Sequence, residues 1–304
     1  MTPDEIKKHE DNFFSTLTAG GIKYTRKQIT DIGNNIKIYS IRPNFNSYYR
    51  TEKTTKKSIC LHFTVGYIKS DIPALSTPEK CVSVSYVVDR SGRIYELFPD
   101  SDWSYHLGSE AIGGNTVMSK QSIGIEISNF GPLTPSGQNL LNAYKQVYCK
   151  TSETEYYDKY SYRGHNYYAS MTDVQVEAIA ALIKYLCRKH NIPMIFKNDD
   201  APFADAQKAV SFSGIFYHTN VRKDKFDWPF GPSMKALVLA CSEELPNNIE
   251  NKIEIKADAT RTISAQDYYS IRCDLGDAPT PFKTDAGHQS QEESVFVFKR
   301  CRDV

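Results

Sequence analysis

The segment Ser58-Ile-Cys-Leu-His-Phe-Thr-Val-Gly66 alternates with period two, placing Ile59, Leu61, Phe63 and Val65 on one face and Cys60, His62 and Thr64 on the other. This predicts a strand with one apolar face. A second strand is predicted through Val82, Val84, Tyr86 and Val88. Asp89-Arg-Ser-Gly92 then reads as a turn, and Arg93-Ile-Tyr-Glu-Leu-Phe98 as the return strand of a hairpin. In a third strand, Ser122-Ile-Gly-Ile-Glu-Ile-Ser128, three isoleucines share one face while Gly124, Glu126 and Ser128 share the other. Helical periodicity comes later. Thr172-Asp-Val-Gln175 has capping-box form, and Val176, Ile179, Ala180, Ile183, Leu186 and Cys187 follow as one stripe up to His190. A further helix is predicted over 233–245, stopped by Pro246, and a short amphipathic one behind Thr2-Pro3. Strands interleaved with helices predict an α/β domain.

Three parts of the chain stand outside this pattern. Residues 1–50 read as an N-terminal extension packed on a core domain of 51–245. Residues 132–171 carry Tyr144, Tyr148, Tyr156, Tyr157, Tyr160, Tyr162, Tyr167 and Tyr168 with little periodicity, and read as an insertion after the third strand. Residues 246–304 are polar, with one strand-like stretch at 294–299, and read as an appendage or tail.

Composition narrows the function classes. Thirty-seven basic residues balance thirty-six acidic ones, which argues against a nucleic-acid partner. The sequence has no apolar run near the ~20 residues of a spanning helix, which argues against membrane insertion. Seven scattered cysteines without a C-x-x-C predict free thiols in a reducing compartment. The polar start Met1-Thr-Pro-Asp-Glu-Ile-Lys-Lys has no apolar stretch behind it, so synthesis in a cytoplasm without a signal peptide is expected.

Two of the seven histidines carry chemical interest. His62 lies mid-strand opposite three large apolar side chains, and His218 opens a polar loop, Phe216-Tyr-His-Thr-Asn-Val-Arg-Lys-Asp-Lys-Phe-Asp-Trp-Pro229. Two histidines and a carboxylate, Asp227 or Asp224, would make a competent zinc set with an open position for water. Glu126, in the middle of an isoleucine-rich strand, is costly to bury without a partner and suits a general base beside a metal. Gly124, on the same face, would leave room for a substrate backbone.

These blocks occur in a familiar order. Ile59-Cys-Leu-His-Phe-Thr64, Val82-Ser-Val-Ser-Tyr-Val-Val-Asp-Arg-Ser-Gly-Arg-Ile-Tyr95, Trp103-Ser-Tyr-His-Leu-Gly108, Ser122-Ile-Gly-Ile-Glu126 and Lys225-Phe-Asp-Trp-Pro229 resemble the zinc-dependent N-acetylmuramoyl-L-alanine amidases of the peptidoglycan-recognition superfamily, phage endolysins among them. The resemblance covers roughly residues 55–245. It implies a central mixed β-sheet flanked by helices, one zinc ion per chain held by His62, His218 and Asp227, and bacterial peptidoglycan as the partner. It further implies Glu126 as catalytic acid/base, Lys225 as the group polarising the scissile carbonyl, and His106, Tyr86 and Asn115 along the substrate. The implied reaction is hydrolysis of the amide between N-acetylmuramic acid and L-alanine, reached from the cytoplasm by holin-type lysis or dedicated export. Alternatives of another class are a non-catalytic peptidoglycan-recognition module and a zinc amidase for another acyl-peptide. The chain departs from the family at Ser85, where His is common, and at Val84, where some relatives carry a catalytic Tyr. The Tyr-rich insertion is expected to border the cleft, with Tyr156, Tyr157 and Tyr160 available to stack on sugar.

Overall fold

The computed structural model describes residues 1–242. The strand-like stretch at 294–299, and with it the whole 246–304 segment, lies outside the described residues. Thr2 opens helix α1 (Pro3–Thr16) with a capping box: Glu5 N–H donates to the Thr2 hydroxyl, and Thr2 N–H donates to the Glu5 carboxylate at 2.8 Å. A ribbon of β1 (Thr18–Ala19) and β2 (Ile22–Lys23) leads into the antiparallel pair β3 (Thr25–Asp31) and β4 (Lys37–Arg42). There follow β5 (Ser58–Phe63), α2 (Ile68–Leu75), β6 (Tyr86–Val88), β7 (Ile94–Glu96), α3 (Asn115–Gln121) and β8 (Ser122–Ile127).

The second predicted strand is shorter than its pattern. Cys81 takes a left-handed conformation (φ +48°) and Val82 forms only an isolated bridge to Tyr105, so the ladder begins at Tyr86. The insertion forms a sheet of its own: β9 (Pro132–Ser136), β10 (Asn139–Leu141), β11 (Val147–Lys150), β12 (Tyr157–Tyr162) and β13 (His165–Ala169) pair antiparallel in the order β11-β10-β9-β13-β12. The long helix α4 (Asp173–His190) comes next, then α5 (Ala206–Ser211), β14 (Gly214–Tyr217), the single turn α6 (His218–Val221) and α7 (Pro232–Ser242).

The main sheet has seven strands in the order β14-β5-β8-β6-β7-β4-β3. β14, β5, β8 and β6 run parallel to one another, β7 is antiparallel to β6, and the sheet is mixed. Residues 25–42 of the N-terminal segment supply its two outer strands. On one face, α4 and α7 pack over Ile59, Leu61, Phe63, Ile123, Ile125 and Ile127. On the other, α3 and α5 cover Cys60 and Phe216 with Met118 and Ala209. Every residue of β5 is therefore buried, as expected of a parallel strand covered on both sides.

Two buried polar groups fix the layers. Thr172 caps α4 by accepting from Gln175 N–H at 3.2 Å, yet the Gln175 side chain does not reach back to complete a capping box. It is buried and donates instead to the carbonyls of Val88 and Ser128, tying the helix to β6 and β8. Glu10 of α1, also buried, accepts from Arg90 N–H, Ser91 N–H and the Ser91 hydroxyl, at 2.8, 3.1 and 2.6 Å. A carboxylate with three donors can be buried at tolerable cost, so α1 is anchored onto the β6–β7 turn. No helix among the described residues is long and apolar enough to cross a membrane.

Candidate metal centre

His62 sits on β5, and β14 runs parallel beside it with Tyr217 opposite Leu61, so His218, the next residue, arrives next to His62. The loop after α6 returns Asp227 to the same point. His62 Nδ1 and His218 Nδ1 lie 3.0 Å apart, and Asp227 Oδ2 is 3.0 Å from His218 Nδ1 and 3.4 Å from His62 Nδ1. Asp224 is not part of this group. It is exposed and forks with the Arg222 guanidinium through two 2.7 Å hydrogen bonds.

The contacts of the outer nitrogens bear on the inner ones. His218 Nε2 lies 3.1 Å from the Leu107 carbonyl, which can only accept, so Nε2 carries a proton and, in the neutral ring, Nδ1 carries the lone pair. At the other ring, Ser122 Oγ donates to the Met118 carbonyl at 2.6 Å and can accept from His106 Nε2 at 3.0 Å. His106 Nδ1 then accepts from His62 Nε2, again at 3.0 Å, leaving His62 Nδ1 as a lone pair too. With both rings neutral, two imidazole lone pairs and a carboxylate oxygen converge on one point. Such a trio repels itself unless a cation sits among it, and N, N, O donors suit a borderline divalent ion.

Burial, with the neighbouring His218, brings His62 down to about 4, and burial also holds His106 well below its ordinary value. Both rings are neutral at physiological pH, as ligation and its support require. For Asp227 the upward push of burial is outweighed by His218 and His62, which keep its carboxyl well below the usual carboxylate range. The backbone contributes a further link. Trp228, buried against Phe63, donates its indole N–H to the His62 carbonyl at 2.9 Å, so the residue after Asp227 grips the strand of His62.

The remaining sequence-predicted residues divide. Glu126 is directly opposite His62 in the β5–β8 register, partly buried on the same face. Lys225 lies two residues before Asp227, and its charge contributes to lowering the His62 pKa. His106 is in the centre, but bonded to His62 rather than presented to a substrate. Asn115 connects to the site only through Ser119, whose hydroxyl donates to Asn115 Oδ1 and accepts from His106 N–H. Tyr86 is not at the site. Its strand position points it to the α4 face, where it is buried and its hydroxyl donates to Asp100 at 2.8 Å. Gly124 is likewise corrected: a Cβ there would meet Val84 Cγ1 at 2.7 Å and His106 Cγ at 3.2 Å, so its missing side chain makes room for these residues and not for a substrate backbone. Sequence reasoning missed Ser122 and the Leu107 carbonyl, the two groups that fix the tautomers. A serine opening a strand and a backbone oxygen leave no pattern to read.

Cys60, His62 and His106 form a second set of neighbouring donors. Burial pushes the Cys60 thiol well above its ordinary pKa, with Asp227 and Glu126 adding to the effect, so it stays a protonated thiol packed among apolar side chains. Cys60→Ser is therefore expected to leave the metal content of the protein unchanged by elemental analysis; a loss of metal would move the centre onto this second set.

An α/β protein with a buried His–His–Asp group that could hold a metal ion is the class that fold and site define. The sequence profile of N-acetylmuramoyl-L-alanine amidase matches residues 52–225, more than half of the chain, and the chain belongs to that family. The match stops two residues short of Asp227. No curated protein sequence matches. Among solved structures, the chain is similar to AmiD of E. coli, in complex with anhydro-N-acetylmuramic acid-L-Ala-D-gamma-Glu-L-Lys, at 21% identity over 55% of this chain and 54% of that one (TM-score 0.33). The chain thus spans about half the length of AmiD. It is also similar to the endolysin amidase LysCS of Clostridium intestinale, at 16% identity over 67% and 95% of the two chains (TM-score 0.37). A third is the Staphylococcus aureus hydrolase AmiA in complex with its ligand, at 14% identity over 64% and 75% (TM-score 0.36).

Proposed function

We propose that this protein is a zinc-dependent peptidoglycan hydrolase that cleaves the amide between N-acetylmuramic acid and the L-alanine of the stem peptide. The observation that carries the reading is the convergence of His62 Nδ1, His218 Nδ1 and Asp227 Oδ2, with Glu126 opposite His62 in the adjoining strand. His62, His218 and Asp227 would hold the zinc, which when bound supplies Lewis acidity enough to make water a nucleophile at neutral pH.

The chain's own residues do the rest. Glu126 accepts the proton of the attacking water and returns it to the leaving nitrogen of L-alanine, so the amide C–N bond breaks without expelling an amide anion. Lys225 donates to the carbonyl oxygen as it gains negative charge. His106 and Ser122 act one step back: they hold the His62 proton on Nε2 and so keep Nδ1 directed at the centre. A module that only bound peptidoglycan would gain nothing from two histidines and an aspartate drawn together in a buried site.

Incubating purified protein with peptidoglycan and identifying the released ends by mass spectrometry tests the reading. New L-alanine amino termini paired with free lactyl carboxylates support it. Release of other ends, such as cleavage within the stem peptide, would assign the chemistry to a different bond.

A further inference from the structure

Of the three predicted tyrosines in the insertion, Tyr156 is half-buried, while Tyr157 and Tyr160 have their hydroxyls engaged within the protein. Tyr157 is buried and donates to the Thr151 carbonyl at 2.7 Å, and Tyr160 donates to Asp200 at 2.9 Å. The insertion instead leans on the segment that follows His218. Along β12, Asp158 accepts from Ser233 N–H at 2.9 Å, in the first turn of α7. Asp200, held by Tyr160, accepts from Phe230 N–H. At the tip of the β12–β13 hairpin, the Arg163 guanidinium donates to the Lys225 carbonyl, and the His165 ring meets Phe226 edge-on at 5.5 Å.

We infer that this hairpin is a clamp on the loop that carries Lys225 and Asp227, with Arg163 as its positioning residue. The inference rests on the amidase reading for what Lys225 and Asp227 do. Residues 222–226 lie outside the sheet ladders. Lys225 N–H makes a long 3.5 Å contact to the Arg222 carbonyl, and Lys223 and Asp224 are exposed. Arg163 supplies that stretch with a charged donor from a different sheet. The turn itself points the same way. Arg163 (φ +46°) and Gly164 (φ +79°) form a two-residue link in which both positions are left-handed, a geometry that favours Asn-Gly and disfavours a long side chain at the first position. An arginine kept where asparagine would relax the backbone indicates that its guanidinium is needed for something other than the turn.

Arg163→Asn separates these roles, because it suits the turn and removes the reach to Lys225. The metal-free variant is expected to melt at or above the metal-free wild type. In chelator competition its zinc affinity should fall by about 10–100-fold, and kcat should fall over the same range with KM nearly unchanged, as for loss of a group that orients first-rank ligands. In the metal-free protein, trypsin should cut after Lys223 and Lys225 several-fold faster than in the wild type, on the order of the change expected when a local opening becomes easier. Arg163→Lys, which keeps a cationic donor, should recover part of each loss. Wild-type zinc affinity and wild-type tryptic rates in Arg163→Asn would overturn the clamp and leave the insertion as a surface excursion. A wild-type protein inert toward peptidoglycan would sink the amidase reading alone, since proteolysis of the metal-free chain still decides whether the clamp exists.

Discussion

His218→Ala is expected to remove the zinc and the hydrolytic activity together. The wild type should carry about one equivalent of metal per chain, and the variant none that survives gel filtration, because a closed structural or catalytic zinc site rarely persists on two protein ligands. The substitution takes away one ring nitrogen and one of the Leu107 carbonyl's two donors, Arg222 remaining, but it also relieves the crowding of the three groups. The metal-free variant should accordingly melt close to the metal-free wild type. The difference appears on adding zinc: a ligand at a thousand times its Kd stabilises by about 4.1 kcal/mol, so the wild type should gain several degrees and the variant nothing. His62→Ala should behave in the same way with an added penalty, since it leaves His106 Nδ1 without its donor in a buried setting. Stoichiometric zinc in either variant, measured by elemental analysis, would place the metal elsewhere.

Glu126→Gln is expected to leave that metal in place and still lose activity. The amide keeps the size of the side chain and its hydrogen-bonding reach, and the residue stays opposite His62 in the parallel ladder. What it loses is the ability to accept and return a proton, which is worth about 10²–10⁴ in rate for a positioned general acid–base. Turnover on purified peptidoglycan should fall by at least the lower bound, with zinc content and melting temperature near wild type. A Glu126→Gln protein turning over at more than about a tenth of the wild-type rate would refute the assignment, because general acid–base catalysis predicts a larger loss.

The core strands were legible because their chemistry alternates without ambiguity. Ile59, Leu61 and Phe63 against Cys60 and His62, or the three isoleucines of β8 against Gly124 and Glu126, fix both the strand and the face that carries the site. The insertion was not legible for the opposite reason. β12 reads Tyr-Asp-Lys-Tyr-Ser-Tyr, and tyrosine, apolar in its ring and polar at its tip, gives no contrast between faces. Tyr86 misled in a related way. A tyrosine next to the site strand suits a substrate contact, and only the registration of Tyr86 with Ile125 reveals that it shares the isoleucine face. Gly124 was read by its emptiness, and its neighbours Val84 and His106 come from segments whose approach no local pattern records.

The anchored helix α1 has a practical consequence for anyone cutting the chain. A fragment chosen by family boundaries, 52–225, would discard α1, β3 and β4 at one end and Asp227, Trp228 and α7 at the other. At the first cut, the buried Tyr95 and Val87 would lose Phe13 and Ile41 as neighbours, β7 would become an open edge, and the Arg90 and Ser91 amides would lose Glu10. At the second, the isoleucine face would lose Met234 and Leu237. The smallest piece that matches is thus smaller than the smallest piece that can hold itself together, and truncation or domain-grafting work should start from residue 1 and run through at least residue 242.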